Sequence, residues 1–462
     1  MMKKLVCLLV LATSVVQAQY SIKGTMTPPE KSDWVMLHKL QGVKPKYITN
    51  TTIKFDTISV GADKQILGKF SFELPNNAEP GAYRVTYRNK GAGFVDFIFN
   101  KENIEFIFNP KYPEESIVYT SSRENKVFNE YNEAYENLQK QIDAQQLEYL
   151  KNPSKDVKKA YKKLVSQQED LQESYENKSE GMLAYNFIKA SQRYNSSGVI
   201  DEMPEYLEAT VDNFFKYVDF DDEVLYNSSF LVDRVNDFVF YLNFSDDQVT
   251  QQGLHKKSID KVMDVISNKK VKKEILEFLI ITFTDKRNSE IVDWLFSEYY
   301  DDLSNADAEF KKKKLDELLV SVGRVAPDFN WKEGDQEYSL SGLNDGDYYL
   351  MIFWSTTCPH CVKEVPEVHS FSKGIDKLSV ISFAMEENDK NFPAFAKRLD
   401  GWHNIMGTHA DGPLEHPVIK TYKIDATPTY FVLDKDKKII GVPNKIEDLK
   451  KFIENLGKEE EK

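Results

Sequence analysis

The sequence predicts a multidomain chain of three parts: an N-terminal antiparallel β-sandwich, a central α-helical region and a C-terminal α/β domain. Two observations indicate this division. The hydrophobic period changes from two residues to three or four near residue 120, and beyond Gly323 apolar strand-like runs alternate with helical ones. A chain of 462 residues is also too long for one core. The predicted boundaries are 19–115, 120–322 and 323–457, followed by a charged tail over 458–462.

The N-terminus has the features of a secretory signal peptide. Two lysines precede an apolar run over residues 5–16, and Ala18 supplies a small residue where a signal peptidase would cut. The apolar run is about a dozen residues long, whereas a helix that crosses a bilayer needs roughly twenty. We therefore expect removal of residues 1–18 and a periplasmic mature protein that is not held by a transmembrane helix.

Charge and cysteine content narrow the class of protein further. The formal net charge is −14 and no basic stripe is present, so the phosphate backbone of a nucleic acid would be repelled. Of the three cysteines, Cys7 lies in the predicted signal, which leaves Cys358 and Cys361. A disulfide that closes so short a loop removes little entropy from the unfolded chain. The pair is therefore expected to serve chemistry, not stability.

The first predicted domain shows the period of strands. Phe70, Phe72 and Leu74 alternate with polar residues, and the same alternation recurs further along the chain between clusters of Pro, Gly and Asn. Short strands separated by such turns are typical of an antiparallel sandwich. We find no catalytic constellation in this part of the sequence.

The central region shows the period of helices and begins with two long runs joined at 152–154, where Ser154 is the expected N-cap of the second. These runs predict an antiparallel helical hairpin. A dimerising coiled coil is the alternative, but two heptads per run are short of the three or four that identify one. Six further helices are predicted at 204–218, 222–242, 258–268, 271–284, 289–300 and 306–322.

The last region alternates strands and helices, which predicts a mixed sheet flanked by helices. Strands are expected at 348–354, 378–384, 429–433 and 438–442, and helices from the cysteines through 371, near 392–399 and at 446–456. Cys358 then lies at the start of a helix, where free backbone N–H groups and the helix dipole favour the thiolate. We predict that Cys358 is the nucleophile and that Cys361, one helical turn further on, attacks the mixed disulfide that Cys358 forms.

Three segments of this region resemble the thioredoxin superfamily, and more narrowly its exported TlpA-like and ResA-like thiol:disulfide oxidoreductases. They are Val-Ala-Pro-Asp-Phe at 325–329, Phe-Trp with the Cys-Pro-His-Cys motif at 353–361, and Ala-Thr-Pro-Thr at 426–429. The resemblance spans 323–457 and implies a thioredoxin-like fold, disulfide exchange and no cofactor. The strand-rich N-terminal part resembles the β-domain of unknown function that often precedes such domains.

The resemblance also implies roles for individual residues. Pro428 would be the cis-proline beside the cysteines, the backbone of Thr427 would pair with an extended substrate, and Trp354 would belong to the substrate site. Glu364 matches the Glu-x-Pro of ResA-like proteins and would relay a proton to or from Cys361. Departing from thioredoxin itself, Ile352 stands where a buried aspartate is expected.

His360 would stabilise the Cys358 thiolate, as the matching Pro-His dipeptide does in oxidising relatives. That dipeptide favours an oxidising couple, whereas the TlpA-like context favours a reductant. Reduction, oxidation and isomerisation of clients therefore all stay open. The expected partners are protein thiols and disulfides of the cell envelope and a membrane-bound electron donor, with no nucleic acid.

Three alternative functions compete with disulfide exchange. A zinc site could use the cysteines with His403 and His409, but their separation is far longer than in a zinc finger. A thiol peroxidase would need Pro and Thr where Met351 and Ser355 stand. The third alternative is an envelope adaptor with a vestigial redox domain, which the intact cysteine motif disfavours. We expect no bound metal.

Overall fold

The computed structural model describes residues 18–42, 44–60, 63–88, 93–242, 244–303, 306–388 and 390–459. These residues form two compact units, one up to Ile275 and the other from Leu276 onward. The predicted signal peptide lies outside the described residues except for Ala18, which begins the first strand. Residues 458 and 459 of the predicted tail end the last helix, and the rest lies outside. The predicted domain boundaries stay predictions.

The first unit begins with a strand-rich region. Its strands are β1 Ala18–Met26, β2 Trp34–Gln41, β3 Lys44–Thr52, β4 Lys54–Val60, β5 Asp63–Pro75, β6 Gly81–Thr86, β7 Phe94–Phe99, β8 Ile104–Phe108 and β9 Val118–Ser121. They form two sheets, in the orders β4-β5-β1-β8-β9 and β3-β2-β6-β7. Alternate residues of both sheets, such as Phe72 and Val85, share one core, as the period of two requires.

One strand pair of this sandwich departs from the predicted antiparallel arrangement. β1 pairs with β8 in parallel, with Ile22 opposite Ile104, whereas the other pairs of the two sheets are antiparallel. β1 and β8 are far apart in sequence, so no tight hairpin turn fixes their relative direction. The strand period alone could not have revealed this exception.

The helices of the first unit follow the strands, except for α1, which lies between β8 and β9. They are α1 Pro113–Ser116, α2 Arg123–Lys151, α3 Lys155–Lys178, α4 Ala184–Ala190, α5 Met203–Asp212, α6 Glu223–Tyr226, α7 Phe230–Asn236, a π-helical turn Asp237–Leu242, α8 Gln248–Val265 and α9 Lys269–Asp285, which runs into the second unit. The predicted hairpin is α2 and α3, and the Ser154 side chain accepts the Val157 N–H at 3.2 Å.

Several predicted helices of this region have different bounds, and polar side chains explain the differences. The helix predicted at 204–218 ends at Asp212, where the Asn213 side chain donates to the Ala209 carbonyl. The one predicted at 222–242 is broken because Ser228 hydrogen-bonds the backbone on either side of it. The one predicted at 258–268 begins earlier, since Asp247 caps it through Thr250.

The second unit continues with α10 Ser289–Leu295, a π-helical turn Phe296–Tyr300 and α11 Ala308–Glu317. Its α/β part has β10 Asn330–Glu333, β11 Gln336–Ser339, β12 Tyr348–Trp354, α12 Pro359–Ser372, β13 Leu378–Met385, α13 Phe392–Ala396, β14 His403–Gly407, a 3₁₀ turn Pro413–Glu415, α14 Pro417–Tyr422, β15 Thr429–Asp434, β16 Ile439–Gly441 and α15 Ile446–Glu459. The β10–β11 hairpin, β14 and α14 were not predicted.

The α/β part is built on a mixed sheet in the order β14-β13-β12-β15-β16. β13 runs parallel to β12 and β14, whereas β15 runs antiparallel to β12 and β16. Successive residues of β12 enter two different cores: Phe353 packs on one face of the sheet, and Ile352 and Trp354 pack on the other, with α12. The predicted mixed sheet with flanking helices is confirmed.

No helix within the described residues is long and apolar enough to cross a membrane.

Candidate functional site

The two cysteines lie at the start of α12, directly after the central strand β12. Cys358 is the N-cap residue, and its Sγ accepts the Cys361 backbone N–H at 3.3 Å. Cys358 is half-buried, whereas Cys361 is fully buried in the core beneath it. One sulfur is therefore within reach of a partner, and the other is shielded behind it.

This geometry separates the pKa values of the two thiols. Partial burial acts to raise the pKa of Cys358, but hydrogen bonds from the Cys361 thiol and from the backbone amides of Cys361 and His360 outweigh it and lower that pKa. Burial, followed by the hydrogen bond that Cys361 gives to Cys358, raises the pKa of Cys361 to about 12. The half-buried Cys358 thiol is thus the better suited of the two to act as a nucleophile.

Alkylation against pH should show this separation directly. In the reduced protein, iodoacetamide should modify Cys358 at neutral pH and leave Cys361 unmodified until the chain is denatured, because only a thiolate is alkylated rapidly. Peptide mass spectrometry at each pH assigns the modification. Equal rates at both cysteines, or a Cys358 profile centred on the value of free cysteine, would contradict the prediction.

The Thr-Pro segment lies against Cys358. The Thr427–Pro428 peptide bond is cis, and the Cys358 thiol donates to the Thr427 carbonyl oxygen at 3.5 Å. Both residues are half-buried, directly before β15. The structure therefore brings the Thr427–Pro428 segment to Cys358 and Cys361, although Cys358 and Thr427 are 69 residues apart in sequence.

Trp354 has a different place from the one predicted. Its ring is fully buried, and its Nε1–H donates to the Ser382 hydroxyl at 2.8 Å. It packs with Cys361 in the core between the sheet and α12. The expectation that Trp354 contacts substrate is therefore corrected. Because side chains alternate along β12, the ring points into the core, where it packs beneath the cysteines.

His360 contributes through its backbone. Its amide is among the groups that lower the pKa of Cys358, whereas its imidazole is exposed and has no hydrogen bond or ion pair within the described residues. Within the described residues the His360 ring therefore makes no hydrogen bond to the Cys358 sulfur.

Glu364 is half-buried on α12, and its Oε2 accepts the Tyr430 hydroxyl at 3.0 Å. Tyr430, which was not predicted, is fully buried in the core that contains Cys361. It lies directly opposite Ile352 in the antiparallel β12–β15 pair, and Ile352 is the residue that stands where an aspartate was expected. The period of β15 could have revealed Tyr430, because residues 430 and 432 must face the same side of the sheet.

A second residue missed in the sequence is Glu386. It is buried directly after β13, and its two carboxylate oxygens accept the Thr356 N–H at 2.6 Å and the Thr356 hydroxyl at 2.7 Å. These bonds fix the turn that leads into Cys358. The available signal was topological: β12 and β13 are parallel, so residues that follow both strands meet at one edge of the sheet.

The partners of His403 and His409 within the described residues are carboxylates and not the cysteines. His403 lies on β14, where its two ring nitrogens face the carboxylates of Glu333 at 2.8 Å and Asp345 at 3.0 Å. His409 is near Asp411. No group of His, Cys, Asp and Glu within the described residues is arranged to hold a metal ion.

Comparison with known proteins identifies relatives of the α/β part. The model of the AhpC/TSA family matches residues 322–442. The thioredoxin-like protein YneN of Bacillus subtilis is 30% identical over 127 residues, which cover 26% of this chain and 69% of that protein. The thiol-disulfide oxidoreductase ResA of Geobacillus thermodenitrificans is 27% identical over 147 residues, which cover 30% of this chain and 81% of the relative.

Solved structures are also similar. A thioredoxin-like protein from Bacteroides caccae matches at 17% identity with a TM-score of 0.33, covering 57% of this chain and 98% of that one. The thioredoxin domain of a thiol-disulfide oxidoreductase from Bacteroides vulgatus matches at 21% identity with a TM-score of 0.26, covering 29% and 97%. In both cases the match covers nearly the whole of the solved chain.

Proposed function

Because the chain belongs to the thioredoxin superfamily, as a ResA-like thiol-disulfide oxidoreductase, we propose that it exchanges disulfides with proteins of the cell envelope through Cys358 and Cys361. The observation that carries this proposal is the contrast between the two sulfurs. Cys358 is accessible with a lowered pKa, and Cys361 is buried behind it with a raised one. Disulfide exchange needs such a division between an attacking and a resolving thiol.

The exchange proceeds in two steps. The Cys358 thiolate attacks one sulfur of a client disulfide, and the other client sulfur leaves as a thiolate. Cys361 then attacks the Cys358 sulfur, so that the mixed disulfide breaks, the Cys358–Cys361 disulfide forms and the client is released reduced. The same steps in reverse oxidise a client, and the reduction potential of the pair relative to its surroundings sets the direction.

Thr427 and Pro428 form the proposed docking edge for the client. The Thr427 carbonyl lies 3.5 Å from the Cys358 sulfur, so a client strand that pairs with this backbone would bring its own disulfide to Cys358. Main-chain pairing recognises an extended segment with little demand on its sequence. The pairing therefore suits a protein that acts on more than one client.

Glu364 is the proposed proton acceptor for the resolving step. Cys361 must lose its proton to attack, and burial disfavours its thiolate. Glu364 follows Cys361 by three residues on α12 and so lies on the same face of the helix. Its carboxylate can take the proton that the Cys361 thiol releases.

Replacing Glu364 by glutamine should slow the resolving step by about a hundredfold, the lower end of what a positioned base contributes. Glu367→Gln is the matched control, because Glu367 lies on the same helix but is exposed and paired with Lys450. The measurement is the rate at which the mixed disulfide with glutathione closes to the internal disulfide. Equal rates in the two variants would remove Glu364 from the mechanism.

Export would carry the exchange to the periplasm, where a membrane-bound donor would supply electrons for the reduction of clients. The support is the signal-like N-terminal sequence, which precedes the described residues. Fractionation of cells that make the full chain tests export, and a cytoplasmic full-length product would contradict it.

Equilibration of the Cys358–Cys361 dithiol with glutathione buffers gives its reduction potential and so the direction of exchange. A pair that does not exchange with glutathione at all would favour the adaptor alternative.

A further inference from the structure

A buried tyrosine connects the proposed proton acceptor with the cysteine core. Tyr430 lies on β15, its side chain is fully buried, and its hydroxyl donates to Glu364 Oε2 at 3.0 Å. The ring belongs to the core that also contains Cys361 and Trp354. The hydroxyl is therefore held inside the site, at the carboxylate that the resolving step is proposed to use.

Few side chains on this face of the sheet could form a hydrogen bond with Glu364. β12 and β15 contribute Leu350, Ile352, Trp354, Tyr430 and Val432 to the core beneath α12. Only Trp354 and Tyr430 among these have a polar side-chain atom, and the Trp354 N–H is bonded to Ser382. Ile352, which lies opposite Tyr430 on β12, is apolar. Among the residues that these two strands contribute to this core, the Tyr430 hydroxyl is thus the polar group that binds Glu364.

The hydroxyl acts as a hydrogen-bond donor and not as a base. Burial, followed by the hydrogen bond and the negative charge of Glu364, raises the pKa of Tyr430, and the charge of Cys361 acts in the same direction. The phenol thus keeps its proton at physiological pH. A permanent donor fixes the direction in which the Glu364 carboxylate points and leaves the second carboxylate oxygen available.

We propose that Tyr430 is a positioning residue that holds the Glu364 carboxylate in place to accept the proton of Cys361 during the resolving step. This inference rests on the proposed disulfide exchange. In that step the Cys361–H bond breaks, the proton passes to Glu364, and the Cys361 sulfur forms its bond to Cys358. The Cys358–client bond breaks, and its electron pair leaves with the client sulfur.

The test uses the reduced full chain and excess oxidised glutathione, which supplies the disulfide. Acid quenching at successive times, followed by mass spectrometry, separates the Cys358–glutathione adduct from the closed Cys358–Cys361 disulfide and so gives the resolving rate alone. Measured from pH 5 to 10, this rate should be about three- to tenfold lower in Tyr430→Phe near neutral pH, as expected for the loss of one hydrogen bond. Its pH profile should also shift.

Two further variants make the result specific. In Glu364→Gln with Tyr430→Phe, the rate should equal that of Glu364→Gln alone, because the hydroxyl acts through the carboxylate. Tyr422→Phe is the matched control: Tyr422 is also buried, but it lies in the core on the other face of the sheet and donates to the Pro327 carbonyl. It should keep the original rate and profile.

The outcomes separate this inference from the proposed function. An original rate and pH profile in Tyr430→Phe, beside a slow Glu364→Gln, would overturn the role of Tyr430 and leave the exchange mechanism intact. Equal slowing in Tyr422→Phe would overturn it as well, since a general packing effect would then explain the loss. Absence of any glutathione adduct on Cys358 in the unaltered chain would overturn the proposed function itself.

Discussion

Replacing Cys361 by serine should convert the protein into a covalent trap for its clients. Cys358 keeps its accessible position, so the first attack on a client disulfide still occurs, whereas the thiol that breaks the mixed disulfide is gone. Adducts should accumulate in the cell envelope and be visible as slow bands on non-reducing gels that disappear on reduction. Mass spectrometry of these bands would identify the clients.

The matched control for the trap is the double variant with serine at both Cys358 and Cys361, which should form no adduct. The comparison should be made in cells grown under several redox conditions, because the direction of exchange depends on the surroundings. If the single variant looks like the double variant in all of them, Cys358 is not a working nucleophile, and the adaptor alternative becomes the better one.

Truncation of Trp354 to alanine should destabilise the core around the site by about 3–5 kcal/mol, the usual cost of removing a large buried aromatic side chain. The ring is fully buried, and its loss also leaves the buried Ser382 hydroxyl without its donor. Trp354→Phe keeps most of the packing and loses the N–H, so its cost should be smaller, about 1–3 kcal/mol.

The chain contains more than one folding unit, so the readout must be local. Cys361 supplies it, because this thiol is buried in the same core as Trp354 and becomes alkylated only when that core opens. The urea concentration at which Cys361 reacts should fall most in Trp354→Ala. Trp34→Ala, in the β-sandwich, should leave it unchanged. An unchanged midpoint in Trp354→Ala would show that the ring does not support the site.

The sequence was sufficient where one local pattern dominates the structure. The apolar run over 348–354 is the observed central strand, since a strand covered on both faces has few polar positions. Ser154 begins α3 as predicted, because an N-cap depends on the adjacent residues alone. The position of Cys358 at a helix start likewise depends on adjacent residues, since it follows β12 and directly precedes α12.

Helix bounds in the central region were less predictable, because the hydrophobic period carries no information about side chains that hydrogen-bond the backbone. Ser228 and Asn213 interrupt periodic runs by hydrogen bonds to nearby carbonyls, and Asp247 starts a helix ten residues before the periodic segment that marked it. The parallel pairing of β1 with β8 is a long-range choice with no local signature. The strand β14 was missed for a related reason, since only its pairing with β13 makes it a strand.

Local sequence alone was enough to locate the two cysteines, their spacing, the helix start that favours the Cys358 thiolate, and the apolar strands around them. The groups that surround those sulfurs depend on the fold: Trp354 packs in the core with Cys361, Glu386 holds the turn through Thr356, and Tyr430 donates to Glu364. The two sets of features differ in the range of the interactions that produce them. Caps and periods depend on residues within a turn of one another, whereas these contacts join strands whose order in the sheet is fixed by packing of the whole domain.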